Sequence, residues 1–181
     1  SLDELEAHLA EANANGLPVH FLGAGANTIA MSRVPGMTIR ITIKGVEMSA
    51  APNGDVLVKC GAGEVFDDIV ARTLKAGIGG LENLSAIPGT VGGAVRMNAG
   101  TRREFLGPRI VSVTTLRPGE GLRRYAARDI EWNYRETSIP FDEVVLECEV
   151  ATTEGSEQEI RRAMQKSQER RRITQPLGLP S

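Results

Sequence analysis

The apolar positions of the chain recur with two periods, which predict a mixture of helices and strands. Leu2, Leu5 and Leu9 fall on one face of a helix over residues 2–14, and Gly16 is placed to end it. Two further helices are predicted, over residues 64–76 with Val65, Ile69 and Leu74 on one stripe, and from the capping box Ser156–Glu159 to about Ile173. The arginines of this last helix are most simply a solvated face.

Short alternating or apolar runs predict the strands. They lie at residues 19–22, 37–43, 46–50, 55–60, 109–116, 121–125 and 143–151. Asn53-Gly54 predicts a hairpin, and Arg117–Glu120 predicts a turn between two more strands. Because hairpins interrupt the order of strands and helices, an α+β fold is predicted and not a doubly wound parallel sheet. We expect a first lobe over residues 1–76 and a second over residues 77–174.

Composition narrows the class of protein. The 181 residues are 41% hydrophobic and carry a net charge of −2, so a packed interior is expected and neither nucleic acid nor an anionic membrane is favoured as a partner. The apolar runs are too short to span a membrane, and residues 1–15 do not read as a signal peptide. Cys60 and Cys148 lie in apolar runs and are predicted to be buried thiols of a reducing compartment, the cytoplasm. His8 and His20 are isolated, so no metal site is predicted.

Glycine is abundant and clustered, and the first cluster follows a predicted strand. The loop Gly23–Thr28 has small residues at four successive positions, which can expose backbone N–H groups as a nest for a diphosphate. The Rossmann fingerprint needs a third glycine where Thr28 stands, so this is not a Rossmann site. Taken by itself, such a loop is more typical of an ordinary tight turn.

A second glycine-rich segment runs from Ile87 to Gly100. Gly89, Gly92 and Gly93 remove side chains along a continuous strip against which a flat ring or a diphosphate could lie. The alternative is a helix that packs closely on a sheet through these glycines. Together with the first loop, the segment favours two cradles that hold the two ends of one dinucleotide. In this interpretation a branched side chain at Gly92 blocks the ligand.

The third segment, Trp132–Thr137, contains a Tyr134-Arg135 pair outside any apolar pattern. An arginine can hold a substrate carboxylate through two hydrogen bonds and stabilise negative charge that develops on it. The simpler alternative is an ion pair between Arg135 and a surface acid such as Glu136 or Asp142.

In their order and spacing the three segments resemble the UDP-N-acetylenolpyruvoylglucosamine reductase family. That family has a Gly-Gly-Gly-Ser-Asn type loop, an Ile-Pro-Gly-x-Val-Gly-Gly-Ala segment ending in Met-Asn-Ala-Gly, and a Tyr-Arg-x-Ser motif. Gly79–Glu82 upstream and Gln175–Ser181 downstream are also similar to it. The resemblance extends over residues 5–181, and the segment Ile87–Gly100 is its most specific part.

The resemblance implies a two-lobed FAD-binding fold of the vanillyl-alcohol oxidase and p-cresol methylhydroxylase type. It also implies non-covalent FAD, NADPH as hydride donor and UDP-N-acetylglucosamine enolpyruvate as substrate, in cytoplasmic peptidoglycan synthesis. Arg135 matches the catalytic arginine, and Tyr134 and Arg135 match substrate-binding positions. The implied cofactor-binding residues are Leu22, Gly23, Ala24, Gly25, Ala26, Asn27, Thr28, Ile87, Pro88, Gly89, Thr90, Gly92, Gly93, Ala94, Asn98, Gly100 and Val145.

The chain departs from the family pattern at several positions. Ala24 and Ala26 keep the first loop small but remove a hydroxyl donor, and Thr137 replaces a serine. Thr101–Glu104 stands where the family has Ala-Tyr-Gly-Gly, which affects the substrate side. The family's proton-donating serine and C-terminal glutamate have no counterpart, so residues 175–181 are expected to begin a linker to a separate substrate-binding domain. The chain is therefore expected to bind FAD without turnover.

Two alternatives share the same fold: a flavin-binding module without catalysis, and a non-covalent FAD oxidase. Oxidases of this fold often attach their flavin to a His or Cys in the first loop, and residues 22–28 contain neither. The Tyr134-Arg135 pair also favours the reductase. Oligomeric state is not predicted.

Overall fold

A computed structural model describes residues 1–30, 33–101 and 104–174. Arg102, Arg103 and the predicted linker at residues 175–181 lie outside the described residues. The helices are α1 (Leu2–Ala14), α2 (Phe66–Lys75), α3 (Val91–Arg96) and α4 (Glu157–Thr174). The strands are β1 (Val19–Leu22), β2 (Met37–Arg40), β3 (Val46–Ala50), β4 (Val56–Gly61), β5 (Ile78–Gly79), β6 (Ile110–Arg117), β7 (Gly121–Ala126), β8 (Trp132–Asn133), β9 (Glu136–Thr137) and β10 (Val144–Glu154).

An antiparallel sheet in the order β3-β4-β10-β6-β7 forms the centre, and β5 pairs with the far end of β10. β1 and β2 form a separate parallel pair, and β8 and β9 form a short hairpin. The predicted α+β class is confirmed. The sequence predicts a lobe boundary at residue 76. β4 lies before this residue and β10 lies after it, so their pairing joins the two predicted lobes in one sheet. The division into lobes stays a prediction.

The helix α1 has the predicted bounds because local signals define both of its ends. The Ser1 hydroxyl accepts a hydrogen bond from the Glu4 amide at 3.3 Å, and the Glu4 carboxylate accepts one from the Ser1 ammonium at 2.6 Å. Leu5 and Leu9 are buried, as their spacing predicts. Gly16 follows the helix with a φ of +61°, a conformation that glycine adopts without strain.

The predicted apolar stripe of α2 is wrong at its first position. Val65 is 43% exposed, and the buried face consists of Phe66, Ile69, Val70 and Thr73. The reason is a long-range contact: Val65 pairs with Thr90 in an isolated antiparallel bridge, which keeps Val65 extended, and the helix begins at Phe66, two residues later than predicted.

The core lies between the central sheet and the helices. It includes Val58, Val113 and Val150 of the sheet and Ile69 and Val95 of the helices. No helix within the described ranges is both long and apolar enough to cross a membrane.

Both cysteines lie in this core, as predicted. Cys60 and Cys148 are direct partners in the pairing of β4 with β10, and both are buried and free. Burial raises the pKa of the Cys60 thiol to about 12, and it raises the pKa of Cys148 well above its usual range. Both thiols therefore stay protonated near neutral pH.

We expect neither cysteine to react with an aromatic disulfide reagent in the native protein. A thiol whose pKa rises from 9.0 to about 12 has roughly a thousandth of its ordinary thiolate fraction. Absorbance of the released thiolate should rise only in denaturant, where two equivalents react. Rapid labelling of one equivalent without denaturant would contradict the burial of these thiols.

Candidate functional site

A groove of about 420 Å³ lies where β1, the start of α3 and the start of β10 meet. It brings together predicted residues that are distant in sequence: Leu22, Gly23, Thr90, Gly92, Gly93 and Val145. The other lining residues are Val19, His20, Phe21, Ile41, Ala62, Arg96, Phe141, Glu143 and Val144. The walls are therefore largely apolar or bare backbone.

Backbone hydrogen bonds tie the start of α3 to the chain that follows β4. The amide of Gly92 donates to the carbonyl of Ala62 at 2.8 Å, and the amide of Val91 donates to the carbonyl of Glu64 at 2.9 Å. A Cβ on Gly92 would lie 2.9 Å from the Cβ of Ala62. This glycine thus permits close packing of α3, the alternative considered for the segment. The expectation that a side chain at Gly92 blocks the ligand stays a prediction, since Gly92 also lines the groove.

Gly93, the next residue, faces the groove. A Cβ there would meet only the Thr90 hydroxyl, at 3.7 Å. Because Val91 and Gly92 already donate to carbonyls beyond α3, the amide of Gly93 is the first of this helix without such an acceptor among the described residues. This amide is available to an anion in the groove.

The two glycine-rich segments meet directly. A Cβ on Gly23 would lie 2.5 Å from the Thr90 hydroxyl oxygen, so only glycine fits without movement. Gly89 has a φ of +112°, and a Cβ there would lie 3.6 Å from the Cβ of Ala26. The first loop and the Ile87–Gly100 segment therefore form one continuous cradle, where the sequence predicts two separate cradles at the two ends of a dinucleotide.

The remaining loop residues border the cradle. Gly25 has a φ of +75°, and a Cβ there would meet none of the described residues beyond its chain neighbours within 4 Å. Its carbonyl accepts from the amide of Thr28 at 3.2 Å. Ala24, Ala26 and Asn27 are exposed. Loop backbone is thus accessible beside the groove.

Other predicted cofactor residues have structural partners. The Asn98 side chain donates to the carbonyl of Asn133 and accepts from the amide of Gly107, both at 2.9 Å. A Cβ on Gly100 would lie 2.3 Å from the Glu104 carbonyl oxygen. Asn98 thus holds β8 and the chain at Gly107 against the end of α3. Of the rest, Ile87 and Ala94 are buried, and Pro88 is exposed.

Arg135 occupies the two-residue turn between β8 and β9 with a φ of +63°. Such turns favour glycine or asparagine, and a left-handed arginine costs about 1 kcal/mol. Its guanidinium carbon lies 5.7 Å from the ring centroid of Tyr134. Asp142 pairs with Arg117 at 2.8 Å, and Arg135 forms no ion pair within the described ranges. The predicted alternative of a surface ion pair is therefore wrong for Asp142.

The structure adds Arg171 of α4, which the sequence assigns to a solvated face. Arg171 is half-buried, and its Nη2 lies 3.5 Å from the carbonyl oxygen of Asn83. Its buried Nε has no hydrogen-bond partner among the described residues. Burial, followed by the charge of Arg135, lowers the pKa of Arg171. Two arginines thus lie near each other, one with an unsatisfied donor.

Arg96, the last residue of α3, and Glu143, just before β10, also line the groove. Arg96 donates to the carbonyls of Ile139 at 2.5 Å and Pro140 at 3.0 Å, and also to that of Glu143. The fully buried Glu143 carboxylate accepts from the hydroxyls of Thr115 at 2.6 Å and Tyr125 at 2.9 Å. Arg96 was not predicted as a site residue. One feature of the sequence could have indicated it: Arg96 is the single charged residue of the Ile87–Gly100 segment.

Comparison with known proteins shows the family to which this chain belongs. A family described as FAD binding domain matches residues 1–121. The chain belongs to the FAD binding domain family. A solved UDP-N-acetylenolpyruvylglucosamine reductase from Thermus caldophilus superposes with a TM-score of 0.77 at 28% identity, covering 97% of this chain and 61% of that one. A solvent-stable cholesterol oxidase, at a TM-score of 0.60 and 16% identity over 85% of this chain and 33% of that one, shares the fold.

The sequence relatives agree with the structural ones. A UDP-N-acetylenolpyruvoylglucosamine reductase from Erythrobacter litoralis is 34% identical over 178 residues, which cover 97% of this chain and 54% of that protein. The chain spans about half the length of the curated relatives it matches. This FAD binding domain therefore corresponds to the FAD-binding portion of the reductase family and has the predicted vanillyl-alcohol oxidase type fold.

Neighbouring glycines of α3 should respond oppositely to alanine. Gly92→Ala should lower the free energy of unfolding by about 1–3 kcal/mol, because its methyl group overlaps Ala62. Gly93→Ala should leave it unchanged or raise it by about 0.5–1 kcal/mol, because alanine favours a helix and finds space there. Urea unfolding curves measure both. Equal losses of stability would contradict the different orientations of these glycines.

Proposed function

We propose that this chain binds FAD non-covalently and supplies the flavin-binding half of an NADPH-dependent reductase that acts on UDP-N-acetylglucosamine enolpyruvate. The observation that carries the proposal is the contact of the two glycine-rich segments at Gly23 and Thr90, which makes one cradle from two distant parts of the chain. Arg135 lies in a strained turn of the hairpin that Asn98 and Thr137 hydrogen-bond to the end of α3, and it supports the reductase over an oxidase of the same fold.

The chemistry of the cradle fits a dinucleotide diphosphate. The loop backbone at residues 23–28 and the amide of Gly93 offer N–H donors, which suit phosphate oxygens. The Glu143 carboxylate, although it borders the groove, is held by hydroxyl donors of Thr115 and Tyr125. Its charge is therefore partly satisfied before a diphosphate binds.

Non-covalent binding follows from the side chains near the loop. His20 is the histidine that lines the groove, and its Nε2 lies 2.9 Å from the carbonyl oxygen of Pro35. Both cysteines are buried in the core with raised pKa values, so neither offers a thiolate for attachment.

Arg135 and Arg171 suit the carboxylate of an enolpyruvyl group. Bound FAD would carry hydride from NADPH to the substrate. Arg135 would hold the substrate carboxylate through two hydrogen bonds and stabilise the negative charge that develops on it. The charge of Arg171 adds to the positive potential near Arg135. The proton donor would come from the substrate-binding part of the reductases.

The purified chain should bind FAD more tightly than FMN, because the groove extends beyond a single phosphate site. Isothermal titration calorimetry measures both affinities. Acid precipitation should release all of the flavin into the supernatant. Flavin retained in the pellet would contradict non-covalent binding, and equal affinity for FMN would contradict a dinucleotide site.

Arg135→Ala should impair one half-reaction selectively in a full-length protein that also carries the substrate-binding domain. Oxidation of the reduced flavin by the enolpyruvyl sugar should slow by ~10²-fold or more, the scale for one positioned charge stabiliser. Flavin reduction by NADPH should stay nearly unchanged. Arg135→Lys should also be impaired, because an ammonium cannot make the two-pronged contact. Stopped-flow absorbance separates the two half-reactions.

Arg128→Ala is the matched control, since the Arg128 side chain is 88% exposed and lies outside the groove. It should leave both half-reactions unchanged. If Arg135→Ala slows flavin reduction as much as flavin reoxidation, Arg135 shapes the flavin pocket and does not act on the substrate.

A further inference from the structure

The groove extends past the diphosphate cradle toward the C-terminal end of α3. The six residues of this helix span about 9 Å at 1.5 Å per residue. Thr90 stands at its first end, where the cradle lies, and Arg96 at its last. Neither Arg135 nor Arg171 lines this groove. The extension therefore suits a part of the dinucleotide, beyond the diphosphate, that Arg135 does not contact.

Phe141 borders this extension as an exposed aromatic ring. It is 88% exposed, although an apolar ring of this size is favourably buried. It lies in the loop that precedes β10, whose residues Val144 and Val145 form an apolar wall of the same groove. A flat apolar ligand in the groove would cover surface that the described protein leaves open.

Arg96 holds this ring in place. Its hydrogen bonds to three carbonyls of residues 139–143 fix the backbone on both sides of Phe141. Its guanidinium carbon also lies 5.7 Å from the centroid of the Phe141 ring, within the range of a cation–π contact. The ring is thus oriented before any ligand arrives, which reduces the entropy lost on binding.

We propose that Phe141, positioned by Arg96, is the stacking platform for the adenine of the bound dinucleotide and selects FAD over FMN. The proposal rests on the proposed function, because it requires that the cradle hold the diphosphate. A purine is the chemical class that fits: its flat face stacks on an aromatic ring, while FMN has no second base to place there.

Phe141→Ala tests the proposal. Because Phe141 is exposed and not part of the core, its removal should leave the fold intact. Affinities of the 181-residue chain for FAD, ADP and FMN are measured by calorimetry. Phe141→Ala should weaken FAD and ADP about tenfold or more and leave FMN within twofold of the unsubstituted chain. Phe141→Tyr should retain tight binding of FAD and ADP, because it keeps the ring.

Leu122→Ala is the matched control, because Leu122 is another exposed apolar residue, 57% exposed on β7 and outside the groove. It should change no affinity. The proposal is overturned if Phe141→Ala leaves FAD and ADP binding unchanged or weakens FMN equally. Failure of the unsubstituted chain to bind FAD would instead overturn the proposed function, so the two failures are distinguishable.

Discussion

The position of the groove depends on Ala62, whose backbone is hydrogen-bonded on both sides. Its carbonyl accepts from the amide of Gly92 at 2.8 Å, and its amide donates to the carbonyl of Leu146 at 2.7 Å. One residue therefore joins α3 to β10. This second hydrogen bond continues the antiparallel register of β4 with β10, in which Glu147 lies opposite Gly61. A side chain at position 92 would overlap Ala62 and hold α3 away from it.

This anchor explains why the site divides into backbone and side-chain parts. Once Gly92 faces Ala62, Gly93 faces the groove, and Thr90 meets Gly23 across it. The proposed diphosphate position thus consists of peptide groups on rigid elements. Arg96 and Phe141 contribute side chains to the groove, and Arg135 with Arg171 lie outside its lining. We expect substitution of these side chains to change specificity or chemistry while the cradle is retained.

Local signals made much of the fold predictable. The bounds of α1 and the β3–β4 hairpin follow from a capping box and an Asn-Gly turn, which involve residues close in sequence. Motifs also located the cradle, because Gly23 and Thr90 do meet. The features that the sequence did not predict all depend on tertiary contacts. Identical residues at 92 and 93 face opposite ways, the Val65–Thr90 bridge displaces the start of α2, and Arg171 is half-buried by Asn83.

Amide chemical shifts of the isotope-labelled chain, followed during titration with FAD, test the central claim most directly. The account predicts that the largest changes fall at residues 23–28 and at Gly93, with a second group at residues 139–145. Changes concentrated instead at the cavity between α1 and the β6–β7 turn, which is lined by Leu9, Asn13 and Pro118, would contradict the assignment of the groove as the FAD site.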